Sequence, residues 1–223
     1  MNNWLRIQQL LPANVRLIAV SKYHTAEQIA EVYAAGCRDF GESRVQELKA
    51  KQAVLPQDIR WHFIGHLQTN KVRDLLRLRP CLIQSVDSER LLRAINSEAE
   101  KQGIVQDVLL ELHVAREQTK SGLSPDEFRA LLDIVSREPM PNIRICGLMG
   151  MSTNTDDEQE IRRCFRALHE QYIWLLNSLQ PAQAADGSAA PVSLQLSMGM
   201  SDDYRIAINE GSTMVRIGSA IFD

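Results

Sequence analysis

Lys22 lies at a position where the amine of a lysine could form a covalent bond to a ligand. It ends an apolar run over residues 16–22 that is rich in β-branched side chains and predicts a buried strand. Period-two alternation puts Ile18, Val20 and Lys22 on one face of that strand. A lysine amine becomes a nucleophile when it is neutral, and partial burial beside other positive charges favours the neutral form. The simpler alternative is a lysine that reaches solvent where its strand stops.

Two clusters of small residues could bind a phosphate group. The first cluster, residues 197–203 beginning with Ser197, follows the seventh predicted strand and leads into a helix. The second, residues 216–219, lies at the end of the eighth predicted strand. Unpaired amides at a helix start, with glycines that allow close approach, form anion-binding sites. The alternative is ordinary capping of that helix by Ser201 or Asp202 without any ligand. The two consecutive aspartates there would repel a phosphate unless they turned outward.

Arg216 narrows the chemistry of the ligand. Alternation puts Met214, Arg216 and Gly218 on one face, so the guanidinium points to the same side as the Gly218 backbone. An always-charged donor beside a phosphate site, together with the amine of Lys22, suits pyridoxal 5′-phosphate. Lys22 would hold its aldehyde as a Schiff base, and Arg216 would face the pyridine nitrogen and keep it unprotonated. The alternative for Arg216 is a salt bridge across the core.

Eight strands alternate with helices along the chain. We predict strands over residues 16–22, 38–42, 60–65, 81–87, 107–113, 143–149, 192–196 and 213–217, and a helix before the first strand that ends near Pro12. Later helices are predicted over residues 156–179 and 201–210, and a flexible surface loop over residues 181–191. This alternation predicts an α/β protein, a single (β/α)8 TIM barrel over residues 1–223 with an extra N-terminal helix. A doubly wound open sheet is the alternative, but it usually has a glycine-rich turn after the first strand, and residues 21–24 contain no glycine.

The composition limits the classes of function. The formal net charge of −3 over 223 residues gives no reason to expect nucleic acid or an anionic membrane as a partner. No apolar run approaches the roughly 20 residues of a membrane helix, and the first residues do not resemble a signal peptide. The four cysteines are widely spaced, so we expect free thiols and a cytoplasmic protein. His62 and His66 have the spacing of metal ligands on a helix but lie on a strand and its loop, so we expect no metal site.

Seven blocks of sequence carry a family pattern, in order from the first strand to the last residues. They are residues 21–22, 41–47, 61–71, 120–122, 147–151, 196–203 and 211–222. Together they resemble the YggS/PROSC family of pyridoxal phosphate homeostasis proteins, which is related to the N-terminal barrel of alanine racemase. The resemblance implies an alanine-racemase-like barrel that binds pyridoxal 5′-phosphate.

The resemblance also implies roles for individual residues. It implies that Lys22 is the cofactor lysine and that Arg216 is the partner of the pyridine nitrogen. It implies a phosphate site made by Ser201, Gly218 and Ser219, and it places Ser43 and Lys120 near the cofactor ring.

Three positions depart from the family pattern. Ser43 stands where asparagine is common, and His66 stands where proline is common. Tyr23 and His24 replace the usual Thr-Lys after the cofactor lysine. We expect that neither the change at His66 nor that at Tyr23 and His24 affects the Schiff base.

The residues favour a carrier over an enzyme. Racemisation needs two acid/base groups on opposite faces of the cofactor adduct, and Lys22 supplies one. In the racemase the opposing tyrosine belongs to a second domain, and in this chain Tyr23 or Tyr204 would have to replace it. We therefore expect a monomer that stores, buffers or hands on pyridoxal phosphate, with apo forms of cofactor-dependent enzymes as candidate partners. The alternatives are a pyridoxal-phosphate-dependent amino-acid racemase or related enzyme, and a sugar-phosphate barrel enzyme that uses Lys22.

Overall fold

Short runs of apolar and β-branched residues form eight parallel strands that close into a barrel. The structure, a computed structural model, describes residues 2–117, 121–183 and 194–222. The strands are β1 (Arg16–Val20), β2 (Asp39–Glu42), β3 (Arg60–Phe63), β4 (Leu82–Val86), β5 (Gln106–Leu112), β6 (Ile143–Gly150), β7 (Gln195–Ser197) and β8 (Met214–Ile217). Each strand pairs with the next, and β8 returns to β1 with Arg216 opposite Ile18. This closed parallel order confirms the predicted barrel and rules out the open doubly wound sheet.

Helices connect consecutive strands and cover the outside of the barrel. They are α1 (Asn3–Leu10), α2 (Ala26–Ala34), α3 (Val45–Gln52), α4 (Val72–Arg77), α5 (Glu89–Lys101), α6 (Pro125–Arg137), α7 (Glu158–Gln183), α8 (Tyr204–Asn209) and α9 (Ser219–Phe222), with a 3₁₀ turn at Thr69–Lys71. The N-terminal helix α1 precedes β1, as predicted. Across the described ranges, none of these helices combines the length and the apolar character that a membrane crossing requires.

Polar residues fix where two of the helices begin. Thr25 accepts a hydrogen bond from the N–H of Gln28, and the Gln28 side chain accepts one from the N–H of Thr25. Ser124 and Glu127 make the same reciprocal pair at the start of α6, where Pro125 lies in the first turn. These pairs satisfy amides that have no partner within the helix, and they fix the chain as it leaves the carboxyl end of the barrel.

Alternation along the strands divides the core into two parts. In β1, Leu17 and Ala19 pack into the large apolar core between the barrel and its helices, whereas Ile18 packs inside the barrel. In β8, Met214 packs inside the barrel in the same way, and Arg216 follows it two residues later. The predicted inner face is therefore confirmed for Ile18 in β1 and for Met214 and Arg216 in β8, whereas Lys22 lies beyond the end of β1.

The structure differs from the predicted boundaries at both ends of the chain. β1 ends at Val20, two residues earlier than predicted, because the backbone turns at Tyr23 with φ of +72°. β7 is Gln195–Ser197 and not residues 192–196, because its register against β6 sets the paired residues. Of the remaining predicted residues of that strand, Leu194 precedes β7, and residues 192 and 193 lie outside the described residues.

The helix before β7 also ends later than predicted. α7 continues to Gln183, so the first three residues of the predicted loop are helical. Alanine and glutamine, which follow Pro181, are strong helix formers, and this composition suits a helix as well as a loop. Residues 184–191 of the predicted loop lie outside the described residues.

Candidate functional site

The carboxyl ends of the strands surround a cavity of about 520 Å³. Its lining comes from both ends of the chain: Lys22 follows β1, Ser201 follows β7, and Arg216, Gly218 and Ser219 lie at the end of β8. A cavity of this size suits a small-molecule ligand. The predicted lysine, arginine and phosphate-binding residues thus meet at one place, although almost 200 residues separate them in sequence.

Hydrogen bonds hold the backbone immediately before Lys22. The N–H of Ser21 donates to the Gly41 carbonyl over 3.0 Å, and its hydroxyl donates to Glu42 Oε1 over 2.8 Å. The carbonyl of Ser21 accepts from Lys51 Nζ over 2.9 Å, and Lys51 also pairs with the buried Glu42 carboxylate at 2.5 Å. Sequence reasoning missed this support because Lys51 lies on α3, 30 residues away from Ser21.

Lys22 itself is exposed at the rim of the cavity, and the expected partial burial is wrong. The cause is the early end of β1, after which Tyr23 takes a left-handed backbone conformation. For a residue other than glycine such a conformation costs about 1–3 kcal/mol, and strained residues of this kind cluster at functional sites. The Tyr23 ring is 73% exposed, and Lys22 Nζ lies 5.8 Å from its centroid. The amine is therefore open to molecules that arrive from solvent.

Ser201, Gly218 and Ser219 lie within hydrogen-bond distance of one another. The N–H of Gly218 donates to Ser201 Oγ over 3.4 Å, and Ser219 Oγ donates to Ser201 Oγ over 3.0 Å. Gly199 allows the turn that brings Ser201 here, since its φ is +98° and a Cβ would lie 2.6 Å from the Cβ of Ala207. Hydroxyl and amide donors gathered in this way suit the oxygens of a phosphate.

The helix after this turn begins later than the sequence predicts. α8 starts at Tyr204 with Asp203 at the N-cap, so neither Ser201 nor Asp202 caps it. Asp203 is turned into the loop, where Oδ1 accepts from the N–H of Met200 over 2.6 Å and Oδ2 accepts from a buried serine hydroxyl over 2.7 Å. Asp202 lines the cavity. The donors gathered at this turn are therefore serine hydroxyls and one backbone amide, and not the amides at the start of this six-residue helix.

Arg216 lies beneath the cavity and is 5% exposed. Nη1 donates to Ser197 Oγ over 2.7 Å, and Nη2 donates to the Gly150 carbonyl over 3.1 Å. Burial lowers the pKa of the guanidinium to about 10, and the negative charges of Glu111 and Asp203 oppose that shift. The group stays charged at neutral pH while both hydrogen-bond acceptors are neutral oxygens. A buried cation without a paired carboxylate favours a ligand that brings an acceptor or a negative charge.

The other three predicted site residues are placed differently. Ser197 is fully buried below Arg216, and it supports the guanidinium instead of lining the cavity. Ser43 follows β2 with its backbone close to Gly65, and it is not among the described residues that line the cavity. Lys120 lies outside the described residues.

Glu111 is a buried carboxylate near the cavity that sequence reasoning did not identify. It is 3% exposed at the end of β5, and its Oε1 accepts from the Ser121 hydroxyl over 2.9 Å. Burial raises the pKa of Glu111, and the negative charge of Asp87 adds to that shift while Arg216 opposes it. Alternation along the strand gives the inward direction of this side chain, but Ser121 lies in the loop after β5 and Arg216 lies on β8, so the strand pattern alone does not identify these neighbours.

A second cavity, of about 550 Å³, opens at the opposite end of the barrel. Two of the three arginines that line it have carboxylate partners: Arg38 pairs with Asp58 at 2.8 Å and Arg60 with Asp39 at 2.6 Å, and the third, Arg16, is exposed. No lysine is found among its described lining residues. Of these two cavities, the one at the carboxyl end therefore combines a primary amine with a buried guanidinium among its described lining residues.

The described residues also bear on metal binding. Within residues 2–117, 121–183 and 194–222, no three His, Cys, Asp or Glu side chains come together as a metal site would require. The four cysteines are free thiols, of which Cys37 and Cys164 are buried. His66 Nδ1 lies 3.3 Å from Asp87 Oδ2, which gives this loop histidine a carboxylate neighbour.

Comparisons with known proteins match the whole chain. The profile of the family described as alanine racemase, N-terminal domain, matches residues 1–223. The pyridoxal phosphate homeostasis protein of Aquifex aeolicus is 40% identical over 208 residues, which cover 93% of this chain and 86% of that protein. The protein of the same name from Helicobacter pylori is 37% identical over 209 residues, 93% of this chain and 87% of the relative.

A solved structure is similar over nearly the full length. It is PipY from Synechococcus elongatus with PLP bound, which is 35% identical and superposes with a TM-score of 0.85. The match covers 99% of this chain and 98% of PipY. Both the sequence relatives and this structure are thus similar to the chain across the barrel and the cavity.

Proposed function

We propose a cofactor-carrier function, since this chain belongs to the alanine racemase N-terminal domain family and, within it, to the pyridoxal phosphate homeostasis proteins. The protein would bind pyridoxal 5′-phosphate and buffer this cofactor in vitamin B6 homeostasis. The observation that carries the proposal is the cavity where Lys22, Arg216 and the Ser201–Ser219 pair lie together. An amine, a buried cation and a phosphate site match the aldehyde, the pyridine nitrogen and the phosphate of this cofactor.

The residues present fit this cofactor in charge as well as in size. Both described hydrogen-bond acceptors of the Arg216 guanidinium are neutral, so its charge is not cancelled by a carboxylate ion pair within the described residues. The hydroxyls of Ser201 and Ser219 bond to each other, and each can rotate toward a phosphate oxygen. We propose that these two serines and the N–H of Gly218 hold the phosphate.

Lys22 is suited to reversible loading. When bound, the cofactor supplies an aldehyde that forms a Schiff base with a primary amine. The hydrogen bonds of Ser21 fix the backbone that carries this amine, and the exposed position of Lys22 keeps the linkage open to incoming amines. A carrier needs such access because it must release its cofactor as well as hold it.

Arg216 favours a carrier over an amino-acid enzyme. A guanidinium does not give up its proton near neutral pH, so it would keep the pyridine nitrogen unprotonated and the ring a weak electron sink. Racemisation also needs a second acid/base group opposite Lys22. Of the two candidate tyrosines, Tyr23 lines the cavity beside Lys22, and Tyr204 is not among the described lining residues.

We extend the proposal to the state and the surroundings of the protein. Residues 1–223 would form one barrel domain, present as a cytoplasmic monomer. Apo forms of pyridoxal-phosphate-dependent enzymes would receive the cofactor from it. Light scattering of the purified chain tests the monomer, and recovery of activity by an apoenzyme mixed with the loaded protein tests the transfer.

Absorbance spectroscopy tests the carrier function itself. The wild-type protein mixed with pyridoxal phosphate should develop the absorbance band of a protein Schiff base, and borohydride should remove that band. Lys22→Ala should bind the cofactor without this band, while Lys49→Ala, an exposed lysine on α3, should behave like the wild type. Loss of the α-deuterium from labelled amino acids at an enzyme-like rate would contradict the carrier proposal, and so would an unchanged band in Lys22→Ala.

A further inference from the structure

A chain of buried polar side chains crosses the inside of the barrel from Arg216 to its far end. Arg216 Nη1 donates to Ser197 Oγ over 2.7 Å, and Ser197 Oγ donates to Gln84 Oε1 over 2.7 Å. Gln84 Nε2 lies 3.1 Å from His62 Nδ1, and His62 Nε2 lies 3.2 Å from Asp39 Oδ1. Gln84 and Ser197 are 0% exposed and His62 is 1% exposed. The middle of the chain is therefore shielded from bulk water, whereas Asp39 at its far end lines the cavity at the opposite end of the barrel.

The chemistry of the two ends sets the direction of every hydrogen bond in this chain. The guanidinium of Arg216 can only donate, so Ser197 accepts from it and gives its own proton to the Gln84 carbonyl. The Gln84 amide group can then only donate, which requires His62 Nδ1 to be unprotonated. His62 Nε2 carries the proton and donates it to Asp39, which Arg60 contacts with two hydrogen bonds of 2.8 and 2.6 Å. His62 is thereby fixed as the neutral imidazole protonated on Nε2.

The reverse orientation of the Gln84 amide is less favourable. With the amide turned round, its carbonyl would face His62 Nδ1, which would then need a proton to donate. Since Nε2 must also carry a proton to donate to Asp39, the imidazole would be a cation. That cation would lie fully buried, and burial already lowers the pKa of His62. Burial is the largest cause of the lowered pKa of His62, the hydrogen bond and the charge of Asp39 on β2 oppose it, and the charges of Arg16 on β1 and Arg60 on β3 add to it. The Ser197 hydroxyl would also lose the Gln84 carbonyl as its acceptor.

We propose that Gln84 is a positioning residue for the cofactor site, which acts on Arg216 through Ser197. This inference rests on the proposed function, because Arg216 is the proposed contact of the cofactor ring. Gln84 keeps the lone pair of Ser197 turned toward the guanidinium, so that Arg216 is held by neutral acceptors and keeps its full charge for the ligand. A carboxylate in the place of Gln84 would neutralise that charge, and an apolar side chain would leave Ser197 without its acceptor.

The test uses two substitutions at one position and a matched control. Methionine has a length similar to that of glutamine, and Gln84→Met removes the hydrogen bonds to Ser197 and His62 together with the weak one to the Met214 sulfur. Gln84→Glu keeps the shape, but its carboxylate accepts a hydrogen bond from both Ser197 and His62. Gln106→Met is the control, since Gln106, the first residue of β5, is also buried but bonds to the Pro80 and Asp107 carbonyls. We expect both Gln84 variants to bind pyridoxal phosphate about ten-fold more weakly than Gln106→Met. The absorbance of the bound cofactor should also change with pH in the Gln84 variants, since a displaced Arg216 no longer holds the ring nitrogen unprotonated.

A second readout needs no cofactor and separates this inference from the proposed function. Nitrogen-15 spectra of the ligand-free wild type should show His62 neutral and protonated on Nε2, and Gln84→Glu should raise the pKa of His62 because the new carboxylate accepts from Nδ1. A wild-type His62 that is charged or protonated on Nδ1 would overturn the inference, even if the cofactor binds. Gln84 variants that bind the cofactor with the wild-type affinity and pH profile would overturn it as well. Failure of the wild type to bind any pyridoxal phosphate would instead refute the proposed function.

Discussion

Replacement of Lys51 by methionine tests the support beneath the cofactor lysine. Lys51 Nζ lies 2.5 Å from Glu42 Oε1 and 2.9 Å from the carbonyl of Ser21. Its side chain is 10% exposed, and that of Glu42 is 0% exposed. Methionine fills much of the same volume without the charge, so the substitution removes the ion pair and leaves the packing of α3 largely unchanged.

The size of the stability loss depends on the Glu42 carboxylate, which the substitution leaves buried without its cation. In the described structure Glu42 Oε2 has no hydrogen-bond partner, so after the change the buried carboxylate keeps the Ser21 hydroxyl as its donor. Removal of one partner of a buried ion pair typically costs about 3–5 kcal/mol. For a chain of 223 residues each kcal/mol shifts the melting temperature by about 2–4 °C, so Lys51→Met should lower it by roughly 6–20 °C.

Urea unfolding at pH 7 measures the loss directly. Lys49→Met, an exposed lysine on the same helix, is the matched control and should change the free energy of unfolding by less than about 0.5 kcal/mol. The double variant Lys51→Met/Glu42→Gln should recover more than half of the loss, because no uncompensated charge is then buried. The account of how Lys51 supports Ser21 would be refuted if Lys51→Met lowered the free energy of unfolding by less than about 1 kcal/mol. It would also be refuted if the double variant were less stable than the single one.

Three further predictions concern the phosphate site, the turn before it and acid stability. Ser219→Ala should weaken pyridoxal phosphate binding about ten-fold by titration and leave the binding of pyridoxal unchanged, because a hydrogen bond to a charged phosphate is lost; an equal loss for both ligands would contradict the phosphate assignment. Gly199→Ala should destabilise the protein by roughly 1–3 kcal/mol, because the φ of +98° and the distance of 2.6 Å from a Cβ at this position to the Cβ of Ala207 exclude a side chain. An unchanged free energy of unfolding in urea would contradict this, because it would mean that the turn accommodates the methyl group. Burial alone would raise the pKa of Asp39, but hydrogen bonds from Arg60 and His62 hold it below its usual range. The stabilisation by the Asp39 carboxylate is therefore complete above about pH 4 and is lost as the pH falls below it. Urea unfolding from pH 3 to 7 should show that the free energy of unfolding falls more steeply with acid in the wild type than in Asp39→Asn. Parallel pH profiles of the two proteins would contradict this.

Local patterns in the sequence account for most of the fold. Apolar alternation places Ile18, Met214 and Arg216 on the inner faces of β1 and β8, and the structure confirms those faces. Capping residues such as Thr25 and Ser124 mark the starts of α2 and α6. These features depend on residues within one turn or one strand of each other, which is the range over which spacing determines structure.

The missed features depend on contacts between distant segments. The exposure of Lys22 follows from the turn at Tyr23, and no sequence pattern predicts a left-handed tyrosine. The start of α8 at Tyr204 depends on Asp203, whose carboxylate is held by a loop 51 residues away in sequence. The hydrogen bond between Ser197 and Gln84 joins residues 113 positions apart, and only the closed barrel brings them together.

The central claim is that the amine of Lys22 holds the cofactor covalently. It is tested most directly by borohydride reduction of the protein loaded with pyridoxal phosphate, followed by mass spectrometry of its peptides. The account predicts one reduced phosphopyridoxyl group per chain, on the peptide that contains Lys22. Labelling of another lysine, or labelling scattered over many lysines with Lys22 unmodified, would contradict it.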